Sequence, residues 1–195
     1  YWGFTVRPMA IQVDSAWFLP LVAVLVLLVA WLVYRRVMAS RKGLDRILND
    51  IAFARQDAII LPNGDDGVIQ IDHLLLTAKG LLILHVKDAP GTVFGAEKMQ
   101  DWTVMSPERR YTFANPLPAL YDRIAAVRQI VREVPVEGRI LFMDGAEFTK
   151  GTPKLVRLPA ELCDEFVEPD KAEAKRKVEA FIPHWERIGE YADAG

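Results

Sequence analysis

The sequence predicts an α/β protein, with a mixed central sheet flanked by helices and one apolar helix ahead of it. Three observations carry this. Val68 to Asp88 reads as two nearly continuous apolar strands joined by a tight turn at Ala78-Lys79-Gly80. Strands this apolar are covered on both faces and belong in the middle of a sheet. Downstream, Leu117, Leu120, Tyr121, Ile124, Val127 and Val131 recur at helical spacing, with strand-like segments before and after them. At the N-terminus, Ala16 to Tyr34 runs without a charge.

The chain has 195 residues, enough for one ordinary domain and an appendage. The spacing divides it into a short tail (1–15), an apolar span (16–34), a basic linker (35–42), a main domain (43–167) and a helical extension (168–195). Tyr1 to Pro8 precede Met9, and MAIQVDSAWFLP is a natural start, so the first eight residues are expected to lie outside the native protein. Ala16–Tyr34 is long enough as a helix to nearly span a hydrocarbon core of about 30 Å. Trp17, Trp31 and Tyr34 stand near its ends, as interfacial aromatics do. Arg35-Arg36 and Arg41-Lys42 follow it. Positive charge after the apolar run argues for an uncleaved anchor rather than a signal peptide. It also orients the main domain to the cytoplasm, which points to a single-pass protein of a bacterial inner membrane.

Leu44, Ile47, Leu48 and Ile51 continue as a helix, with Gly43 a weak joint. Ala58–Leu61 reads as a short strand stopped by Pro62, and Asn63-Gly64-Asp65-Asp66-Gly67 as a turn. Thr92–Gly95 and Trp102–Met105 read as strands, the second near an edge, and Ser106–Asn115 as a polar loop. Within that loop Arg109-Arg110-Tyr111 can meet a phosphate backbone and stack on a base, or simply be solvated. Asn115 and Pro116 suit the start of a helix running to about Glu133, with Arg123, Arg128 and Arg132 facing out. Arg139–Met143 and Lys154–Arg157 are further strands, Pro159–Phe166 a helical stretch, and Asp170–Ile182 a helix. Lys171, Lys175, Arg176 and Lys177 on the last helix can touch anionic lipid or form a solvated face.

Three polar residues interrupt the apolar hairpin: Asp72, His85 and Lys87. His85 and Lys87 are two apart and share a face. A hairpin closing around Ala78–Gly80 brings Asp72 close to them across the ladder. An acid, an imidazole and an ammonium then gather on the core sheet. The bland alternative is an Asp72–Lys87 ion pair, since an unpaired buried charge is costly.

The stretch QIDHLLLTAKGLLILHVKDAPGTVFG resembles the core of the NERD (nuclease-related) domain, a relative of the restriction-endonuclease-like superfamily. The resemblance extends to ILPNGDDGVIQIDH before it, to Gly91, Gly95 and Trp102, to Asn115-Pro116, and to FMDGAEFTKGTP from Phe142. It covers roughly Gly43 to Pro159. It implies a restriction-endonuclease-like core with an Asp on one strand and Glu-x-Lys on the next. Asp72 matches the Asp and Lys87 the Lys, but His85 stands where the second metal-binding carboxylate belongs. Leu117-Pro118-Ala119 lacks the glutamine that many members carry there, and Asp45 or Asp50 would have to replace a missing upstream Glu.

The resemblance therefore implies metal-dependent phosphodiester hydrolysis of nucleic acid. Asp72 and His85 would be the metal ligands for Mg²⁺ or Mn²⁺, and Lys87 would orient water or stabilise charge. An imidazole suits Mg²⁺ poorly and Mn²⁺ better. The alternative is an inactive nuclease-derived module that binds nucleic acid or a protein partner at the membrane. A purely structural domain in a membrane assembly is a third reading. The balance of 24 basic and 26 acidic residues shows none of the basic excess of a dedicated nucleic-acid binder, which weighs toward the alternative. Cys163 is the sole cysteine, so no disulfide forms within the chain, and it reads as a small buried hydrophobe. The sequence has no phosphate loop and no Cys/His zinc spacing.

Overall fold

The computed structural model describes residues 18–63 and 67–193. Tyr1–Pro8, Met9, the start of the expected anchor at Ala16-Trp17, and Gly64-Asp65-Asp66 of the expected turn lie outside the described residues. The chain forms two compact units, Tyr1–Lys42 and Gly43–Gly195.

Helix α1 runs Phe18–Ile51. In its first half Val22, Val24 to Val29 and Trp31 to Tyr34 are all exposed. Among the described residues, no helix is long and apolar enough to cross a membrane. The exposed apolar run is nonetheless continuous through the described side chains Val22–Tyr34.

The second unit is built on a five-stranded sheet, order β1-β2-β3-β7-β9. Its strands are β1 (Ala54–Asn63), β2 (Gly67–Thr77), β3 (Gly80–Lys87), β7 (Val136–Phe142) and β9 (Val156–Arg157). β1, β2 and β3 are antiparallel neighbours, whereas β7 lies parallel to β3 and β9 parallel to β7. The sheet is thus mixed and β3 is central, as its unbroken apolar run requires. Gly80 has φ +118 at the hairpin turn, and a Cβ there would meet the Pro135 carbonyl.

The face bearing Leu74, Leu76, Leu81 and Ile83 packs on α2 (Leu117–Ile130) through Leu117, Leu120, Ile124 and Val127. The opposite face, with Leu75, Leu82, Leu84 and Leu141, packs on Leu48 and Ile51 of α1 and on Leu162 and Phe166 of α3 (Pro159–Phe166). Arg139 on β7 is buried beneath α3. There it holds Glu165, which also accepts from Arg157 Nε at 2.7 Å.

Several expectations need correction. A second, four-stranded sheet, order β6-β5-β4-β8, accompanies the first. It comprises β4 (Gly91–Phe94), β5 (Asp101–Met105), β6 (Arg110–Ala114) and β8 (Ala146–Glu147). β5 is interior to this sheet, not near an edge. The edge is β6, which read as loop because its arginine and threonine mask the inward alternation of Tyr111 and Phe113. β1 is ten residues long, and its start, Ala54–Asp57, is paired with β2. Tyr121, expected on the apolar stripe of α2, is 53% exposed. The last helix, α4 (Lys171–Asp193), continues through Pro183. Val178, Phe181, Trp185 and Ile188 extend its buried stripe into the core under the sheet, which outweighs the backbone bond the proline removes.

Candidate active site

Asp72 on β2 and His85 on β3 lie one step beyond the last registered pair of their ladder, His73 with Leu84. On its other side, β2 is registered with β1 at His73–Asp57 and at Ile71–Ile59, but Asp72 itself has no partner there. Ala58, which would face it, has φ +54, a left-handed conformation that costs a non-glycine residue roughly 1–2 kcal/mol. Asp72 therefore stands where the β2–β3 ladder has ended and the β1–β2 ladder skips one pair, with its side chain on the face that bears Leu74 and Leu76.

In that gap the Asp72 carboxylate accepts a hydrogen bond from His85 Nδ1. The side chains are 35% and 18% exposed, so the pair is reachable yet partly shielded. Burial holds His85 below the ordinary histidine value; Asp72 pulls it back up, while Lys87 and Arg123 push it further down. With Nδ1–H committed to the carboxylate, Nε2 is left as the basic nitrogen.

Lys87, one strand position beyond, is half-buried, with its Nζ 5.4 Å from the centre of the Phe113 ring. Among the described residues it makes no ion pair with Asp72, so the simple ion-pair reading is replaced by an acid–imidazole pair with a separate ammonium. Arg123 of α2 is the residue that sequence reasoning missed. Its Nε donates to the Gln70 carbonyl on β2 at 2.7 Å, which holds the guanidinium close enough to act on His85. The signal was present: Arg123 flanks the buried stripe of Leu120, Ile124 and Val127, so it borders the sheet rather than facing solvent squarely.

The upstream acids do not join the cluster. Asp45 accepts from Arg55 Nη1 at 2.9 Å, and that hydrogen bond raises the Arg55 pKa. Asp50 lines a concavity with Phe53, Cys163 and Phe166 on the other face of the sheet. Asp88 is exposed beyond the end of β3. His73 Nδ1 pairs with Asp57 at 2.7 Å, a second acid–imidazole pair one residue along β2. Arg109 stacks its guanidinium 4.8 Å from the Tyr111 ring, on exposed β6.

A model of the nuclease-related (NERD) domain matches residues 33–143, more than half of the chain and the whole Asp72–His85–Lys87 hairpin. The chain belongs to the NERD family. An uncharacterized protein of Bacillus anthracis is 28% identical over 64 residues, which cover 33% of this chain and 30% of that protein. This chain thus spans under a third of the relative's length. No solved structure matches.

The donor chemistry of this NERD domain departs from a two-carboxylate metal site. Among the described residues, no group of three or more His, Cys, Asp or Glu side chains is arranged to hold a metal ion. Asp72 and His85 face each other rather than a common third point, and two cations border them. In this arrangement the carboxylate orients the imidazole, as a residue behind a ligand does, instead of offering itself beside one. The pair does not fit a hard divalent ion that asks for several oxygen ligands.

Proposed function

We propose that this NERD domain is a nuclease-derived module that engages the phosphodiester backbone of nucleic acid through Lys87 and Arg123, beside the Asp72–His85 pair, without a metal-dependent cleavage step. The supporting observation is the Asp72–His85 hydrogen bond, which commits the one family-matched carboxylate to an imidazole. Lys87 and Arg123 supply the charge for a phosphate, the second as a planar fork suited to two oxygens. Metal-dependent hydrolysis is the second reading. What favours it is that Asp72, the one β2 residue without a registered partner on either side, lies beside His85, with Lys87 acting on the same imidazole.

A cleavage and binding assay on the 195-residue chain in detergent separates the two. It uses single-stranded and duplex DNA and RNA, with Mg²⁺, Mn²⁺ or EDTA, and Lys87→Ala as control. Binding in EDTA that weakens in Lys87→Ala, without cleavage in either metal, is expected. Metal-dependent cleavage that disappears in Lys87→Ala would overturn the proposal and establish hydrolysis.

We also infer that Ala16–Tyr34 is a hydrophobic anchor and that the domain works on the cytoplasmic side of a bacterial inner membrane. Supporting this are the exposed apolar side chains from Val22 to Tyr34 and the basic residues that follow. A protein partner held at that membrane is the competing occupant of the module. Resistance of the native protein to carbonate extraction is the expected result, and its release into the soluble fraction would remove the anchor.

A further inference from the structure

The motifs that carry the family likeness but not the Asp72 cluster converge elsewhere. Gly95 and the Lys150–Pro153 segment line one concavity, at the end of β4 and in the loop after β8, and Trp102 and Asn115 hydrogen-bond to the loop that forms its near wall. Lys98, Lys150 and Lys154 line it, and Glu97 is the acid among its lining residues.

The loop carrying Lys98 is clasped at every turn. Trp102 Nε1 donates to the Ala96 carbonyl at 3.1 Å. Asn115 Nδ2 donates to the carbonyls of Glu97 and Met99 at 3.1 and 2.8 Å, while its Oδ1 accepts from Leu117 N at 2.9 Å. Asn115 thus joins the first turn of α2 to this loop. Gly95 packs flat on the buried Trp102 ring; a Cβ there would come within 2.7–2.8 Å of ring carbons. The facing loop is tied in as well, because Lys154 N donates to the Glu97 carboxylate at 3.3 Å.

Among the described residues, none of the three ammonium groups is in an ion pair. Lys150 Nζ lies 5.8 Å from the centre of the Phe94 ring, which steadies it without neutralising it. Exposed lysines normally wander and find carboxylates. Here two hydrogen-bonded loops carry three exposed lysines around one concave surface in a chain whose net charge is −2. A backbone fixed in this way lowers the loop entropy lost when a polyanion docks.

We infer that the Lys98–Lys150–Lys154 concavity is a second phosphate-binding site, which takes backbone phosphates of a nucleic acid. The inference rests on the proposed function only for its choice of nucleic acid over other polyanions. Neutralising three phosphates releases their counterions, so binding must depend on salt in proportion.

The test uses the 195-residue chain in a zwitterionic detergent and a short fluorescein-labelled single strand, in EDTA, across a salt series. A Lys98→Ala/Lys150→Ala/Lys154→Ala variant is expected to lose affinity roughly tenfold at low salt. Its salt slope should fall by about two, since each contact on a single strand contributes roughly 0.7. Restoring all three positions as arginine should restore both. Unchanged affinity and slope would overturn the inference. So would a wild-type chain that binds no oligonucleotide, or a variant that loses binding only to vesicles containing phosphatidylglycerol, which would make the concavity a lipid-headgroup site. Lys87→Ala run in parallel separates this inference from the proposed function. If only the triple variant weakens binding, the concavity stands and the Asp72 cluster falls; if only Lys87→Ala does, the reverse holds.

Discussion

Replacing Asp72 by asparagine distinguishes a phosphate-binding cluster from a metal site by the sign of the effect. The amide oxygen can still accept from His85 Nδ1, so the hydrogen bond survives while the charge goes. A phosphate docked beyond the imidazole would sit roughly 6 Å from the carboxylate. Unit charges at that separation repel by about 0.7 kcal/mol in bulk water and about 2.8 kcal/mol at the effective dielectric near a protein surface. The Asp72 side chain keeps 35% exposure, which weights the aqueous end and gives about 0.7–1.4 kcal/mol. Asp72→Asn should therefore tighten oligonucleotide binding in EDTA about three- to tenfold. Fluorescence anisotropy at fixed low salt measures this directly, and the gain should shrink as salt rises. Weaker binding in EDTA would refute the reasoning, because it would make the carboxylate a contributor rather than an opponent. Binding that needs Mg²⁺ or Mn²⁺ and vanishes in Asp72→Asn would make Asp72 a metal ligand.

The pKa shifts give stability a defined pH dependence. His85 is held neutral below its ordinary value, so its contribution is full above about pH 6.5 and is lost as pH falls through the folded value. Burial alone would raise Glu165, but the hydrogen bonds and charges of Arg139 and Arg157 outweigh it and hold the carboxyl below the usual range. Its contribution is full above about pH 4.5 and disappears on further acidification. Thermal melts should thus show two losses of Tm with falling pH, and His85→Gln should abolish only the upper one. Arg139→Ala should cost about 2–4 kcal/mol, read from urea midpoints, since it strips a 10%-exposed side chain from Glu165 and Glu137; a cost under about 0.5 kcal/mol would refute the network's role. Gly95→Ala should cost about 1–3 kcal/mol because the ring of Trp102 is fully buried and cannot retreat. Gly138→Ala should cost less, since its Cβ meets the flexible ends of Ile124 and Leu120, and the reverse order in chemical denaturation would contradict the packing. Ala58→Gly should stabilise the domain by about 0.5–1 kcal/mol by relieving its φ of +54; destabilisation would show that the methyl group packs usefully.

Much of this was legible in the sequence wherever a single period governed a segment. The Val68–Asp88 hairpin declared itself, because two nearly continuous apolar runs joined by a tight turn at Ala78-Lys79-Gly80 leave few registers open. That register alone put Asp72 near His85. The stripe of α2 was equally plain. What escaped were positions where tertiary contacts decide. Arg110–Ala114 alternates too weakly to read as a strand, and it becomes one because Phe113 docks on Trp102 and Phe142. The continuation of α4 beyond Pro183 depends on Trp185 and Ile188 finding the core. Arg123 read as an outward cation because periodicity assigns a face but not the depth at which that face meets a neighbouring strand.

Sheet strands normally keep both ladders through their central residues, since an unpaired backbone group away from water is costly. Here β2 gives up registered partners on both sides at the one residue that matches the family acid, and Ala58 takes a strained conformation opposite it. Strain of this kind persists where surrounding structure enforces it, and it gathers at functional sites. Arg123 then takes up the carbonyl of Gln70, two residues away, which turns a defect in the sheet into a cationic rim. A site retained only as fossil packing would have no need of that opening, because an ordinary ladder with an apolar residue at position 72 would be more stable. The opening and its two cations, Lys87 and Arg123, are what a phosphate needs.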